Sequence, residues 1–307
     1  MESFRLPRFT RASAVAPLLI TSRDREIIRM VHQHRFLRSS HIISLVSGSS
    51  QQLLRRLKLL YHHGYLERPR AQLDYYHQGG SHCVVYGLGN KGASLLAKEP
   101  GYSLRALLWD QKNVSIGRVF LKHALLVSDV MVAIEMACRE RGIRLLTERE
   151  LAPAHCPDGE WQLFRWKVKV NGGLKLGVVP DRVFALEFSG QDGKWNRAYF
   201  FLEADRGTMP VRRRNLFQTS FYRKLLAYEA TWSQSIHRTR FGFHRFRVLT
   251  VTTSAKRVKS LVNVCSELKS GQRLFLFTDP SVMEKPENIF SAMWQSGKQG
   301  EPGGLLD

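Results

Sequence analysis

The residues best suited to chemistry lie in the second half of the chain. Pro180-Asp181 follows one apolar run, Phe200-Phe201-Leu202 runs straight into Glu203-Ala204-Asp205, and Lys224 stands 21 residues after Glu203. Cleaving a phosphodiester calls for a divalent cation on hard oxygen ligands and for a positive group that steadies the developing negative charge. Asp181 and Glu203 are the candidate ligands, for Mg²⁺, and Lys224 is the candidate cation. Phe217, Phe221, Lys224, Leu225 and Tyr228 fall on one face of a helix, which brings the lysine to the side of the aromatic rings. The same residues also suit a structural salt-bridge set, because buried ion pairs are retained without catalysis. On that view Asp205-Arg206-Gly207-Thr208 is a turn, with Asp205 accepting backbone hydrogen bonds and Gly207 at positive φ.

The elements that must position these residues follow from hydrophobic periodicity. Strand-like runs cover 144–147, 164–170, 178–188, 197–202, 247–252 and 273–277, with helices at 213–233 and 255–270. Their alternation predicts an α/β domain with a mixed sheet over 118–296. It opens on a long amphipathic helix, 119–141, in which Leu121, Leu125, Ser128, Val132 and Glu135 share a face, an unusual place for a carboxylate. The Gly-rich tail, 297–307, is expected to be disordered.

The first half reads as a smaller module. Residues 1–20 form a basic arm expected to be flexible, with a strand-like or packing run at 14–20. Thr21 with Asp24 caps a first helix whose apolar face is Ile27, Ile28, Val31 and, less regularly, Phe36. Ser39 or Ser40 opens a second helix and Ser49-Ser50 a third, which Gly64 ends. Tyr65 to Arg68, a turn region through Pro69 and Gly79-Gly80, and Cys83 to Leu88 complete a hairpin. That order is a winged helix-turn-helix over 21–98, with a linker at 99–117 anchored by Leu107, Leu108 and Trp109. The outer face of the third helix carries Gln51, Gln52, Arg55, Arg56 and Lys58, and Arg68 and Arg70 follow in the wing. Arg pairs bidentately with guanine and Gln with adenine, so these are candidate DNA contacts, as is Arg212-Arg213-Arg214 on a phosphate near the acidic residues. A solvated basic face is the plainer reading of either group.

Composition agrees with a polyanionic partner. Lys and Arg number 47 against 26 Asp and Glu in 307 residues, a formal charge of +21 with a pI near 10.3. Double-stranded DNA is the leading partner. No run approaches the ~20 apolar residues of a membrane span, and the short run at 14–20 lacks a cleavage site, so a cytoplasmic protein without membrane attachment is expected. Cys83, Cys138, Cys156 and Cys265 form no Cys-x-x-Cys pair, and His155, Cys156 and Asp158 have no second ligand pair, so no zinc is expected and the thiols are read as buried and reduced.

The acidic helix residue Glu135, the Pro180-Asp181 turn and Glu203-Ala204-Asp205 together resemble the PD-(D/E)XK nuclease superfamily. Asp205 stands where that pattern has lysine, and Lys224 matches branches that carry the lysine on the next helix. The resemblance implies a restriction-endonuclease-like domain with Glu135, Asp181, Glu203, Asp205 and Lys224 as site residues. Over about residues 20–280 the chain looks like the replication-relaxation family. Arg23-Asp24-Arg25-Glu26, Val85-Tyr86-Gly87-Leu88-Gly89-Asn90-Lys91-Gly92 and Phe201-Leu202-Glu203-Ala204-Asp205-Arg206-Gly207-Thr208, followed by Lys224 and Tyr228, carry that likeness. It implies a DNA-binding protein of a bacterial plasmid or integrative mobile element, with replication or relaxosome proteins as further partners and a homodimer as one form. A Mg²⁺-dependent nickase and a winged-helix transcriptional regulator are the alternatives.

Overall fold

The computed structural model describes residues 8–13, 15, 17–75, 83–100, 102, 116–152, 163–170, 173–190, 193, 195–284 and 289–306. Gly79-Gly80, the linker residues Leu107, Leu108 and Trp109, and the group His155, Cys156 and Asp158 lie outside them. The chain forms two compact units, 1–132 and 133–307. The division falls inside the long helix that the sequence assigns wholly to the second domain.

In the first unit, α1 (Ser22–His34) starts on a capping box: Asp24 N–H donates to Thr21 Oγ1 at 3.2 Å, and Thr21 N–H to Asp24 Oδ2 at 2.8 Å. It stops at Arg35, which takes φ 69°. Phe36 therefore leaves the helix, whose apolar face it was expected to share, and opens β1 (Phe36–Arg38). Next come α2 (Ser39–Leu45), α3 (Ser50–His62), β2 (Leu66–Glu67), a 3₁₀ turn (Arg70–Tyr75), β3 (Val85–Leu88) and α4 (Asn90–Leu96). Ser49 caps α3, and Gly64 at φ 82° ends its last turn. The strands pair antiparallel in the order β1-β3-β2. Leu53, Leu57 and Leu60, spaced one helical turn apart, are fully buried, as are Ile27, Ile28, Val31 and Ile42. Each such side chain contributes about 1.5–3 kcal/mol by leaving water.

Three expectations for this region are corrected. The described part of the arm is held down: Arg11 donates to Tyr61 O at 3.0 Å and to Leu66 O at 3.3 Å, and pairs with Glu67. The described residues of 14–20 form no strand; Val15, Leu18 and Ile20 are half-buried, as the packing alternative has it, while Leu19 is 85% exposed. Cys83 is exposed, whereas Cys138 and Cys265 are buried, their thiols pushed up to about 12 by burial.

The long helix α5 (Arg118–Arg141) buries the face predicted for it, Glu135 included. In the second unit follow β4 (Arg144–Leu146), α6 (Glu148–Leu151), β5 (Trp166–Lys169), β6 (Lys175–Val178), β7 (Arg182–Ser189), β8 (Trp195–Ala204), α7 (Phe221–Ser233), α8 (Ile236–Thr239), β9 (Arg247–Val251), α9 (Ala255–Cys265), β10 (Phe275–Thr278), β11 (Trp294–Ser296) and β12 (Pro302–Gly303). Seven strands make one mixed sheet, β12-β11-β10-β9-β8-β7-β4, with β8, β9 and β10 parallel to their neighbours in that trio. The fold is thus α/β with a mixed sheet. A second hairpin, β5-β6, lies with α7 and α9 over one core. Val183, Phe201, Val248 and Phe275 are register partners across four strands and line that core together.

Four boundaries differ from the periodicity. The run 178–188 is two strands, because Pro180 has no N–H to donate to a ladder and interrupts it. β8 continues through Ala204, so Glu203 sits within the strand, opposite Thr250. α7 begins at Phe221 rather than near 213, and Phe217 stands before it, 76% exposed. The tail expected to be disordered is ordered through 306: β12 pairs with β11, Leu305 is 1% exposed, and Glu301 pairs with Arg273.

Candidate functional site

Because Glu203 lies two residues beyond Phe201 on β8, it faces the α7 core. It is 2% exposed there. Lys224 and Tyr228, one turn apart on α7, meet it from above. Lys224 Nζ donates to Oε2, and the Tyr228 hydroxyl donates to Oε1 at 2.6 Å. Asp181 stands beside the pair, its N–H on Leu202 O at 2.9 Å and its Oδ2 accepting Ala204 N–H at 2.8 Å. Burial pushes the Glu203 carboxyl up; the Lys224 charge draws it back and the Asp181 charge adds to the rise, leaving it above the ordinary value. Burial alone would lower Lys224, but the Glu203 and Asp181 charges outweigh it and the ammonium is held more firmly than usual. Burial, then the Glu203 charge, raises the Tyr228 phenol well above its ordinary value, so it stays a neutral donor.

Asp205 turns to a different partner. Arg257 on α9 donates to it through Nε at 2.9 Å and Nη2 at 3.3 Å, Thr252 through Oγ1 at 2.7 Å, and Gly207 through its N–H at 3.1 Å. With Gly207 at φ 71°, this is the strand-closing turn anticipated as the alternative to a site residue. Glu135 pairs with Arg139, one turn on along α5, at 2.6 Å.

A magnesium ion needs several hard oxygens with lone pairs to spare. Both Glu203 oxygens and Asp181 Oδ2 already accept hydrogen bonds, and the Lys224 ammonium stands where a cation would neutralise the carboxylates. Among the described residues no group of three or more His, Cys, Asp or Glu is placed to share a cation. As it stands the set is a carboxylate neutralised by a lysine, with Asp181 beside it. As arranged it holds α7 on the sheet through charge-assisted bonds.

Of the three arginines near this region, Arg212 pairs with Glu267 and lies over the Tyr222 ring at 5.2 Å. Arg213 donates to Thr219 O at 3.2 Å and to Gln218 Oε1 at 3.3 Å, and Arg214 is exposed. All three precede α7 in a loop rather than riding on it.

In the first unit, Gln51, Gln52, Arg55 and Lys58 project from α3 into solvent, with Leu54 among them at 46% exposure. Arg56 does not join them. It turns inward, Nε donating to Asp24 Oδ1 at 2.8 Å and Nη2 to Leu19 O at 3.0 Å, and ties α3 to the cap of α1. Arg68 is also drawn inward, 4.1 Å from the Tyr61 ring centre and 5.3 Å from that of Tyr86, whereas Arg70 is exposed.

Sequence reasoning missed Arg257 and Thr252 as partners of Asp205, because only the parallel β8-β9 register brings them there. Tyr228 had a signal: it follows Lys224 by one helical turn.

Comparison with models of protein families matches the one described as replication-relaxation over residues 28–245. Comparison with curated proteins and with solved structures finds no match.

Proposed function

Because the chain belongs to the replication-relaxation family, we propose that it binds double-stranded DNA and acts in the replication, relaxation or mobilisation of a plasmid or integrative element. The first unit engages the duplex as a winged helix, with α3 in the major groove. The observation that carries this reading is the outward face of α3, where Gln51, Gln52, Arg55 and Lys58 stand exposed on a helix whose other face is buried. Arg and Gln read base edges bidentately at about 1–3 kcal/mol each, and Lys58 meets phosphate. Leu54 offers an apolar contact of the kind that suits a thymine methyl. The formal charge of +21 supplies the sequence-independent part of the affinity. Glu203, Lys224 and Tyr228 then serve the fold of the second unit, whose exposed arginines add to the basic surface.

Selection from a random duplex pool, followed by anisotropy titration of the enriched site, tests the reading. Arg55→Ala is expected to weaken the enriched site by about 5- to 150-fold and to relax preference at one base pair, following the 1–3 kcal/mol above. A wild-type chain that shows no salt-dependent affinity for any duplex would refute it. Supercoiled plasmid with Mg²⁺ or Mn²⁺ is expected to remain uncut. Metal-dependent nicking that disappears in both Glu203→Ala and Lys224→Ala would replace the structural role of that set by a nuclease one.

A further inference from the structure

A second basic feature of the first unit is separate from the outward face of α3. At the C-terminal end of that helix, where the arm crosses it, lies a cavity of about 340 Å³ lined by Arg11, His62, His63, Glu67 and Lys91, with Gly64 and Asn90 between them. Its chemistry is polar, and its one carboxylate, Glu67, is already paired with Arg11. The arm builds one wall. Arg11 is anchored on the carbonyls of Tyr61 and Leu66 and lies 5.3 Å from the Tyr61 ring centre. Ala12 N–H donates to His62 Nδ1 at 3.1 Å, so the neutral ring carries its proton on Nε2 and is a donor there.

Gly64 lies between the two cations. A Cβ on it would stand 3.9 Å from Cγ and Cδ of Lys91 and 4.0 Å from Nη1 of Arg11. Burial lowers the His62 pKa, and the charges of Arg68, Lys58, Arg11 and His63 lower it further. Positive charge therefore converges on this corner beyond what Glu67 balances. A guanidinium, an ammonium and imidazole N–H groups around an open space match the several acceptor oxygens of a phosphate, with which Arg bonds in a fork and Lys as a point charge.

We propose that this cavity is a phosphate-binding site, occupied by a backbone phosphate of DNA that runs past the arm. The occupant's chemistry, a phosphate group, does not depend on the function proposed above; its source in DNA does. Lys91 is exposed, so Lys91→Ala removes the charge without opening a core, and Lys98→Ala, exposed in the turn two residues beyond α4, removes an equal charge outside the cavity. Duplex DNA is titrated against salt with the full-length chain and both variants. Each neutralised phosphate contributes about −0.9 to the slope of log K on log salt.

Lys91→Ala is expected to flatten that slope by about one, so that it loses about 3-fold less affinity than wild type between ~50 and ~200 mM salt, with Lys98→Ala unchanged. In a second arm, inorganic phosphate is titrated by calorimetry at constant ionic strength. Saturable binding abolished by Lys91→Ala but retained in Lys98→Ala, with unaltered DNA slopes, keeps the site and assigns it to a free phosphate compound. Equal slopes in both variants together with no Lys91-dependent phosphate binding would overturn the proposal. A wild-type chain that ignores DNA sinks the DNA-binding reading by itself, and the phosphate arm still decides the cavity.

Discussion

Replacing Lys224 by Met tests whether the carboxylate at the heart of the second unit depends on its ammonium. Glu203 is 2% exposed, and its Oε2 is held by Lys224. Removing one partner of a fully buried pair costs about 3–5 kcal/mol. The Lys224 side chain keeps 35% of its surface exposed, so water already screens the pair and about 2–3 kcal/mol is expected. For a unit of this size that lowers its melting transition by about 5–10 °C. The pH dependence carries the sharper signature. An acid whose folded pKa is raised binds more protons when folded, so its stability falls as pH rises from the ordinary value, 4.5, through the folded one. Without Lys224 the Glu203 pKa rises further. The deficit of Lys224→Met should therefore be small while both proteins hold Glu203 protonated and deepen as pH rises past the wild-type folded value. The raised Lys224 pKa adds stability present below its ordinary value, 10.5, and lost only above it, so the wild type keeps that support throughout the window. Calorimetry from pH 4.5 to pH 8 on wild type, Lys224→Met and Glu203→Gln/Lys224→Met is the assay. The double variant should recover most of the loss at high pH, since a neutral amide still accepts from Tyr228. A deficit constant across that range, or one the double variant fails to relieve, would refute the claim that an ionised Glu203 rests on Lys224.

Arg56→Ala strands the fully buried Asp24 and should cost the first unit about 3 kcal/mol in urea unfolding, while Arg55→Ala stays within about 0.5 kcal/mol. Burial raises the Asp24 pKa, but the bonds from Arg56 and Thr21 prevail and lower it, so its contribution is present above 3.8 and lost as pH falls through the folded value. Arg56→Ala should accordingly remove part of the acid-induced loss of stability below 3.8, read by circular dichroism. Thr231→Val leaves Trp166 Nε1–H, now 2.8 Å from Thr231 Oγ1, without its acceptor in the core, and a loss of about 1–3 kcal/mol by denaturant titration is expected. Leu305→Ala should lower the stability of the second unit by about 2–5 kcal/mol because the side chain is 1% exposed; an effect below 0.5 kcal/mol would mean that the tail is not packed.

Local signals carried much of the architecture. Thr21 and Asp24 form the capping box that their spacing implies, Ser49 caps α3, and Leu53, Leu57 and Leu60 are buried on its inner face. Boundaries failed where one backbone angle or a distant partner overrode the periodicity. Arg35 at φ 69° ends α1 and releases Phe36 to pair with Gly87, a contact 51 residues away in the chain. The tail lacks apolar periodicity, yet β11 offers it a strand edge and the core takes Leu305.

Residue types and their short-range spacing determined which groups are available: a +21 chain, a basic and amide-bearing helix face, two acidic residues closing apolar runs and a lysine on an aromatic helix face. Tertiary structure alone decided how they are spent. Arg56 leaves the solvent face for Asp24, Asp205 goes to Arg257, and Glu203 is closed by Lys224 and Tyr228. The reason is that a charge near apolar surroundings must find its counter-charge wherever strand register and helix packing bring one within reach, and periods of 2 and 3.6 residues report which face a side chain takes but not which distant partner waits there.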